Sequence, residues 1–149
     1  MEYQIVPMSP EHIPQIAELE KLCFSSPWSQ ASIASELENP LSLWLIAVER
    51  GQVLGYVGAQ SVLDEADMMN LAVSPAQRKK GIGRRLVLTL IEQLKSQGVR
   101  TLTLEVRAGN SAAIHVYELL GFIEVGRRPR YYTKPAEDAL LLKKEWKIG

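Results

Sequence analysis

A short basic loop with two glycines contains the residues whose types and spacing most directly indicate chemistry. The loop covers Arg78–Arg85 and places five basic side chains around Gly81 and Gly83. Glycine reaches positive φ easily and lets a ligand come close to the backbone. A helix that begins there directs unpaired N–H groups and its positive dipole end at an anion. The loop therefore predicts a phosphate-binding site, with a solvated basic turn as the open alternative.

The glycine spacing differs from that of two common phosphate-binding loops. The chain has no G-x-x-x-x-G-K-[ST] pattern, which holds nucleoside triphosphates. It also lacks the third glycine of the dinucleotide-binding fingerprint. The loop by itself therefore indicates an anion without saying which one.

Hydrophobic periodicity predicts the elements that position this loop. Met68–Val73, ahead of the loop, is an apolar strand candidate. Ile82–Lys95, behind it, repeats apolar residues at three- and four-residue steps, as an amphipathic helix does. Thr101–Arg107 then alternates between apolar and polar residues, as a half-buried strand does. Only this stretch has the order and length of a strand–helix–strand crossover, so we expect one parallel pair at the centre of a mixed sheet.

The remaining segments complete an α/β fold with a central mixed sheet of about seven strands and about four flanking helices. Further strands are predicted at Tyr3–Pro7, Leu43–Glu49, Val53–Leu63, Phe122–Gly126 and Ala139–Glu145. Further helices are predicted from Ser9 to Cys23, from Ser29 to about Glu38, and over Asn110–Leu120. A loop rich in Arg, Tyr and Pro is expected between the last two strands.

Composition limits the class of protein. The 149 residues suit a single domain, which we expect to cover residues 1–149. The 17 basic and 17 acidic residues cancel, which argues against a dedicated nucleic-acid or anionic-membrane binder. The start of the chain lacks the pattern of a signal peptide, and the lone Cys23 excludes an internal disulfide. We therefore expect a soluble, cytoplasmic protein without membrane partners.

The loop and its surroundings resemble a known family. Arg78-x-x-Gly81-x-Gly83, placed after Met68–Val73, is similar to the pyrophosphate loop of the GNAT superfamily of N-acetyltransferases. The following helix carries a second matching pattern, Asn110-x-x-Ala113-x-x-x-Tyr117-x-x-x-Gly121-Phe122. The resemblance covers essentially the whole chain and implies the twisted mixed sheet of that fold. It also implies acetyl-coenzyme A (acetyl-CoA) as cosubstrate.

Within the superfamily, the chain most resembles a bacterial branch that acetylates the N-terminal alanine of a small-subunit ribosomal protein. The segments that carry this resemblance are Pro27-Trp28-Ser29, Asp64-Glu65-Ala66, Leu71-Ala72-Val73, Leu104-Glu105-Val106-Arg107, Asn110-Ser111-Ala112-Ala113, Tyr131-Tyr132 and Glu137-Asp138-Ala139. Pro129 departs from the pattern and stiffens the chain just before the tyrosines. The implied partner is the N-terminus of a protein substrate, and direct contact with nucleic acid is not expected.

The resemblance implies roles for individual residues. Glu105, on the polar face of its strand, matches the general base that takes a proton from the acceptor amine. Tyr117 matches the general acid that protonates the departing thiolate. The expected cofactor-binding residues are Leu71, Ala72, Val73, Lys79, Lys80, Gly81, Ile82, Gly83, Arg84 and Asn110. From the residues alone, an exposed strand residue is the better interpretation of Glu105, and Tyr117 could be a core residue.

The acceptor side is less specific. Trp28, Tyr131 and Tyr132 could wall a peptide slot. Two acidic clusters, Asp64-Glu65-x-Asp67 and Glu137-Asp138, could attract a basic residue that follows the alanine. A lysine side chain or a small amine remains an alternative acceptor. A coenzyme-A-binding module without catalysis, or a nucleic-acid binder that uses the basic loop, is a further alternative.

Other residues with chemical potential receive no role. His12 and His115 lack partners at metal-ligand spacing, so no metal site is predicted. Cys23 lies on the apolar face of the first helix and is expected in the core, which gives no reason to predict a covalent acetyl-cysteine intermediate.

Overall fold

A computed structural model describes residues 2–132 and 136–147 of the chain. The strands are β1 (Gln4–Pro7), β2 (Ser42–Glu49), β3 (Gln52–Val62), β4 (Glu65–Val73), β5 (Thr101–Arg107), β6 (Ile123–Tyr132) and β7 (Glu137–Glu145). The helices are α1 (Ile13–Cys23), α2 (Gln30–Glu36), α3 (Ile82–Ser96) and α4 (Ser111–Leu119). Two short 3₁₀ turns, Pro10–His12 and Pro75–Gln77, precede α1 and the basic loop. The predicted element order is confirmed.

All seven strands form one sheet in the order β1-β2-β3-β4-β5-β7-β6. The β4–β5 pair is parallel, and the other neighbours are antiparallel. The predicted crossover through α3 therefore produces the single expected parallel pair among the described residues. β7 lies between β5 and β6, so the last strand of the chain is internal and β6 is an edge.

Helices cover both faces of the sheet, because successive side chains of a strand point to opposite faces. Leu45 and Ala47 of β2 belong to the core cluster that contains the apolar face of α3. Trp44 and Ile46, which alternate with them, belong to a second cluster with Ile16 of α1. In the described part of the chain, no helix has the length and apolar character needed to cross a membrane.

The predicted boundaries were wrong at three places. The first helix is divided into the Pro10–His12 turn and α1, because Pro14 has no N–H to donate and fits only in a first helical turn. β4 begins at Glu65 rather than Met68, since its polar start pairs with both neighbours. The first half of the predicted Arg- and Tyr-rich loop belongs to β6, whose register shifts between Arg128 and Tyr132.

Candidate active site

A cleft opens in the sheet where β4 and β5 separate. The two strands pair at only three positions: Glu65 with Thr101, Ala66 with Leu102, and Asp67 with Thr103. Beyond them β4 contains an irregularity, because Gly58 and Ala59 of β3 pair with Asn70 and Met68 and leave Met69 between them. A bulge of this kind bends the strand and increases its twist. The separated strands, α4 and the segment after α1 enclose a cavity of about 1020 Å³.

Glu105 lies in this cleft, on the polar face of β5. Its neighbours Leu104 and Val106 are buried on the other face, which directs the carboxylate into the opening. The Oε1 atom of Glu105 is 3.4 Å from the Nη2 atom of Arg128, a half-exposed side chain of β6 that also lines the cleft. The candidate base is therefore paired with a cation from the neighbouring part of the cleft.

Tyr117 reaches the same cleft from α4. The side chain of Asn110 caps this helix by accepting a hydrogen bond from the backbone N–H of Ala113 at 3.2 Å. The Tyr117 ring is 7% exposed and packs edge-to-face on Phe122, with ring centroids 5.6 Å apart. Burial, with a smaller effect from nearby Tyr132, raises the pKa of the Tyr117 hydroxyl. The phenol therefore keeps its proton at neutral pH.

Aromatic and basic side chains form the far wall of the cleft. The guanidinium of Arg107 lies 4.4 Å from the ring centroid of Tyr132, and that of Arg128 lies 5.4 Å from Tyr131. Trp28 lines the cleft from the segment between α1 and α2. The three aromatic residues expected to border a peptide slot thus share one cavity.

The acidic cluster at the start of β7 has partners within the protein. Glu137 accepts a hydrogen bond from the Gly109 N–H at 2.5 Å and pairs with Arg107 at 3.3 Å. Asp138 accepts from the Arg130 N–H at 3.0 Å and pairs with Arg127 at 3.1 Å, contacts that lower its pKa. Of the earlier cluster, Asp67 lines the cleft.

The basic loop lies beyond the end of β4. Gly81 precedes α3 with φ +80°, as expected for a glycine loop, and Lys79 has φ +65°. The same expectation was wrong for Gly83, whose backbone belongs to the first turn of α3. A Cβ added at Gly83 would lie 3.5 Å from the Val73 side chain. The loop and the last residue of β4 are therefore close neighbours.

The predicted cofactor-binding residues divide into two groups. Leu71 and Asn110 line the cleft, whereas the loop residues lie outside its lining. The side chains of Ala72 and Ile82 are buried, so only their backbone can meet a ligand. Lys79, Lys80 and Arg84 are exposed beside the start of α3. Together they describe a surface that runs from the cleft along β4 to the loop.

At two residues the structure differs from what the sequence predicted. Cys23, expected in the core, is half-buried and lines the cleft, with its Sγ atom 3.4 Å from the Nη2 atom of Arg78. Glu20 received no role, yet its carboxylate is buried beside the cleft and accepts three hydrogen bonds. The signal for Glu20 was visible, because it is a charged residue on the apolar face of α1. Within residues 2–132 and 136–147, no group of three His, Cys, Asp or Glu side chains is placed to hold a metal ion.

Comparison with known proteins identifies the class. The profile described as "Acetyltransferase (GNAT) family" matches residues 13–122, and the chain belongs to this family of N-acetyltransferases. Its relatives include the [ribosomal protein bS18]-alanine N-acetyltransferases of Escherichia coli K12 and Haemophilus influenzae. The first is 41% identical over 87% of this chain and 88% of the relative. The second is 42% identical over 82% of each.

Solved structures show the same fold. The ribosomal-protein-S18-alanine N-acetyltransferase of Escherichia coli superposes with a TM-score of 0.91 at 35% identity, over 99% of this chain and 96% of that one. The NatC complex bound to Gag peptide and CoA superposes with a TM-score of 0.87 at 26% identity, over 99% of this chain and 100% of that one. The predicted fold class is therefore confirmed.

Stability at alkaline pH tests the environment of Tyr117. Its folded pKa lies above the unfolded value of about 10, so its contribution to stability is complete below pH 10 and is lost as pH rises through the folded pKa. Above pH 10, this hydroxyl is expected to make the unfolding free energy of the wild type fall by about 1.4 kcal/mol per pH unit. Tyr117→Phe lacks the hydroxyl and should not show this part of the fall. Urea unfolding between pH 7 and 11 measures this. Parallel pH curves for the two proteins would show that the hydroxyl is not perturbed.

Proposed function

We propose that this N-acetyltransferase moves the acetyl group of acetyl-CoA to the N-terminal alanine of a protein, with ribosomal protein bS18 as substrate. The observation that carries the proposal is the single cleft that contains Glu105 and Tyr117, a proton acceptor and a proton donor. The names of the relatives at about 40% identity support the acceptor. The proposal also implies a cytoplasmic enzyme, since ribosomal proteins are made there.

The backbone of β4 fits the extended arm of acetyl-CoA. Through Val73, β4 pairs with β3 on one edge, but its pairing with β5 ends at Asp67. The other edge, at Leu71 and the Val73 N–H, therefore offers backbone groups to the amide groups of a bound chain, whereas the Val73 C=O accepts from Arg78 Nε at 3.3 Å. The loop at Gly81 and the start of α3 lie where this edge ends and suit the phosphates. The CoA-bound relative with the same fold supports this assignment.

The cleft residues suit acetyl transfer to an amine. Acetyl-CoA supplies an acetyl group activated as a thioester. An α-ammonium group has a pKa near 7.7–8.0, so a carboxylate at neutral pH is a sufficient acceptor for its proton. Glu105 takes this role, and the cationic amine replaces Arg128 as its partner. Tyr117, whose hydroxyl is protonated at neutral pH, donates to the sulfur as it leaves. A backbone N–H at the free edge of β4 polarises the acetyl oxygen.

The acceptor is expected to enter between the segment after α1 and the aromatic wall. Phe24 and Trp28, from the segment after α1, and Tyr131 and Tyr132, from β6, all line the cavity. Several bulky rings around the opening favour a small first residue such as alanine. Asp67 is the carboxylate of the two acidic clusters that faces this space, and it suits a basic second residue.

A peptide panel tests the function directly. The protein is incubated with acetyl-CoA and peptides that begin Ala-Arg, Ala-Glu or Leu-Arg, with free lysine and spermidine in parallel. We expect the Ala-Arg peptide to be acetylated at its α-amine with the highest kcat/KM, measured by mass spectrometry. Its advantage over Ala-Glu should shrink as salt is raised, because exposed charges are screened. Preferred acetylation of lysine or spermidine would contradict the N-terminal acceptor.

The phosphate loop is tested by a pair of glycines at opposite ends of α3. Gly81 and Gly98 both have positive φ and open space around the missing Cβ, so valine strains each in the same way. We expect Gly81→Val to weaken acetyl-CoA binding at least tenfold, because it distorts the proposed phosphate donors. Gly98→Val is the control and should bind as the wild type does. Calorimetric titration that gives equal affinities for both variants would remove the loop from the binding site.

Glu105→Gln separates binding from chemistry. We expect acetyl-CoA affinity to be kept while kcat falls about 10²–10⁴-fold, the size of a lost general base. Raising the pH should restore part of the rate, because more of the amine is then already neutral. Glu145→Gln, at the opposite end of the same β5–β7 ladder, is the matched control. A wild-type rate for Glu105→Gln at neutral pH would exclude Glu105 as the base.

A further inference from the structure

We propose that Glu20 is a positioning residue that fixes the acceptor wall, defined as residues 24–28, and thereby sets the selectivity for the first residue of the acceptor. The inference rests on the proposed function, because it assigns one side of the cleft to the acceptor. It adds a residue outside the chemistry of proton transfer. Phe24, Ser25, Ser26 and Trp28 of the acceptor wall line the cavity that contains Glu105.

Glu20 accepts hydrogen bonds from the first and the last residue of the acceptor wall. Its backbone carbonyl accepts a hydrogen bond from the Phe24 N–H at 2.9 Å, where α1 ends. Its side-chain Oε1 atom accepts from the Trp28 N–H, also at 2.9 Å. One residue therefore holds the first and last backbone N–H groups of the segment. Because Glu20 is 1% exposed, these contacts are made away from competing water.

The second oxygen of Glu20 ties the acceptor wall to the sheet. Its Oε2 atom accepts a hydrogen bond from the Tyr56 hydroxyl of β3 and one from Asn70 Nδ2 of β4 at 2.6 Å. Asn70 follows the irregularity at Met69, and it also lines the cleft. The carboxylate thus links the acceptor side of the cleft to the strand proposed to hold acetyl-CoA.

The chemistry of these contacts explains why a carboxylate is buried here. A backbone N–H, a hydroxyl and an amide NH₂ all donate to this side chain. A carboxylate offers acceptor sites on both oxygens and no donor, whereas glutamine has one acceptor oxygen and adds an NH₂ group. Burial raises the pKa of Glu20, while the hydrogen bonds from Trp28 and Tyr56 lower it. The donors thus compensate part of the cost of burying the charge.

Aromatic packing holds the side chain of Trp28, in addition to the hydrogen bond that holds its backbone. Its ring meets Trp44 edge-on with centroids 5.5 Å apart, and Trp44 stacks on Tyr56 at 5.8 Å. Gly58 leaves room for Trp44, because a Cβ there would lie 2.3 Å from the indole ring. The backbone bond to Glu20 and the ring contact with Trp44 together hold Trp28 in one position beside the cleft.

A second buried carboxylate provides a matched control. Glu36 of α2 is 8% exposed and accepts from the Trp44 Nε1–H at 3.1 Å, the Ser42 hydroxyl at 3.0 Å and the Gln60 amide at 2.9 Å. All three donors reach the Oε1 atom, so glutamine at position 36 keeps an acceptor for Trp44, and Glu36 does not line the cleft. Glu36→Gln therefore reports the general cost of changing a buried carboxylate in this layer.

The experiment compares Glu20→Gln and Glu36→Gln with the wild type on peptides that begin with Ala and Leu. We expect Glu20→Gln to raise the KM for the Ala peptide about tenfold, the scale of one lost charge-assisted hydrogen bond. The Ala-to-Leu ratio of kcat/KM should fall by a similar factor, with acetyl-CoA affinity unchanged. Glu36→Gln should keep the wild-type ratio. Tyr56→Phe, which removes one donor to Glu20, should shift the ratio in the same direction and serves if Glu20→Gln does not fold.

Amide hydrogen exchange of the acetyl-CoA-free protein separates this inference from the proposed function. Exchange at the Trp28 N–H should accelerate in Glu20→Gln but not in Glu36→Gln. If the wild type does not acetylate Ala peptides, the proposed acceptor is wrong. The exchange rate of the Trp28 N–H still decides whether Glu20 anchors the acceptor wall. Unchanged exchange at Trp28, or an Ala-to-Leu ratio equal to that of Glu36→Gln, would overturn the role of Glu20.

Discussion

The separation of β4 from β5 after three parallel pairs is the constraint on which the site depends. A strand inside a sheet normally has both edges satisfied by neighbours, and an unpaired edge in the interior is costly unless something binds there. Here one edge of β4 past Asp67 is released at the centre of the sheet, beside Glu105 and Tyr117. The fold thus brings backbone hydrogen-bonding groups and the two proposed catalytic side chains, Glu105 and Tyr117, to one place.

The elements around this opening could be predicted from the sequence, whereas the opening itself could not. Periodicity over Met68–Val73 and Ile82–Lys95 predicts the crossover, and a crossover requires a parallel neighbour. β4 changes from Glu65-Ala66-Asp67 to a mainly apolar run at Met68, but such a change in composition does not indicate that a strand loses its neighbour there. The separation depends on the irregularity opposite Gly58, which is a property of how two strands pair. No single segment carries that information.

The site shows the same division. The family pattern singled out Glu105 and Tyr117, which share one cleft, because such a pattern names positions along the chain, and their catalytic roles stay predictions. Ion-pair partners that come from distant elements could not be predicted from the sequence. The pair of Arg128 in β6 with Glu105 in β5 is an example. Glu137 and Asp138 resembled an acidic docking cluster until Arg107 and Arg127 were found beside them. A run of acidic residues in the sequence therefore predicts a negative electrostatic field only where no basic side chain lies beside it in the folded protein.

Under the proposed function, the two sides of the cleft hold their substrates by different means. On the β4 side, backbone groups recognise the cosubstrate. The backbone is the same for many side-chain sequences, so it suits a cosubstrate that a whole family shares. On the α1 side, recognition falls to a short segment whose position depends on the buried carboxylate of Glu20. A change in that segment, or in its donors Tyr56 and Asn70, can alter the acceptor while β4 stays as it is. Acceptor choice can therefore diverge within the family without loss of the acetyl-transfer chemistry.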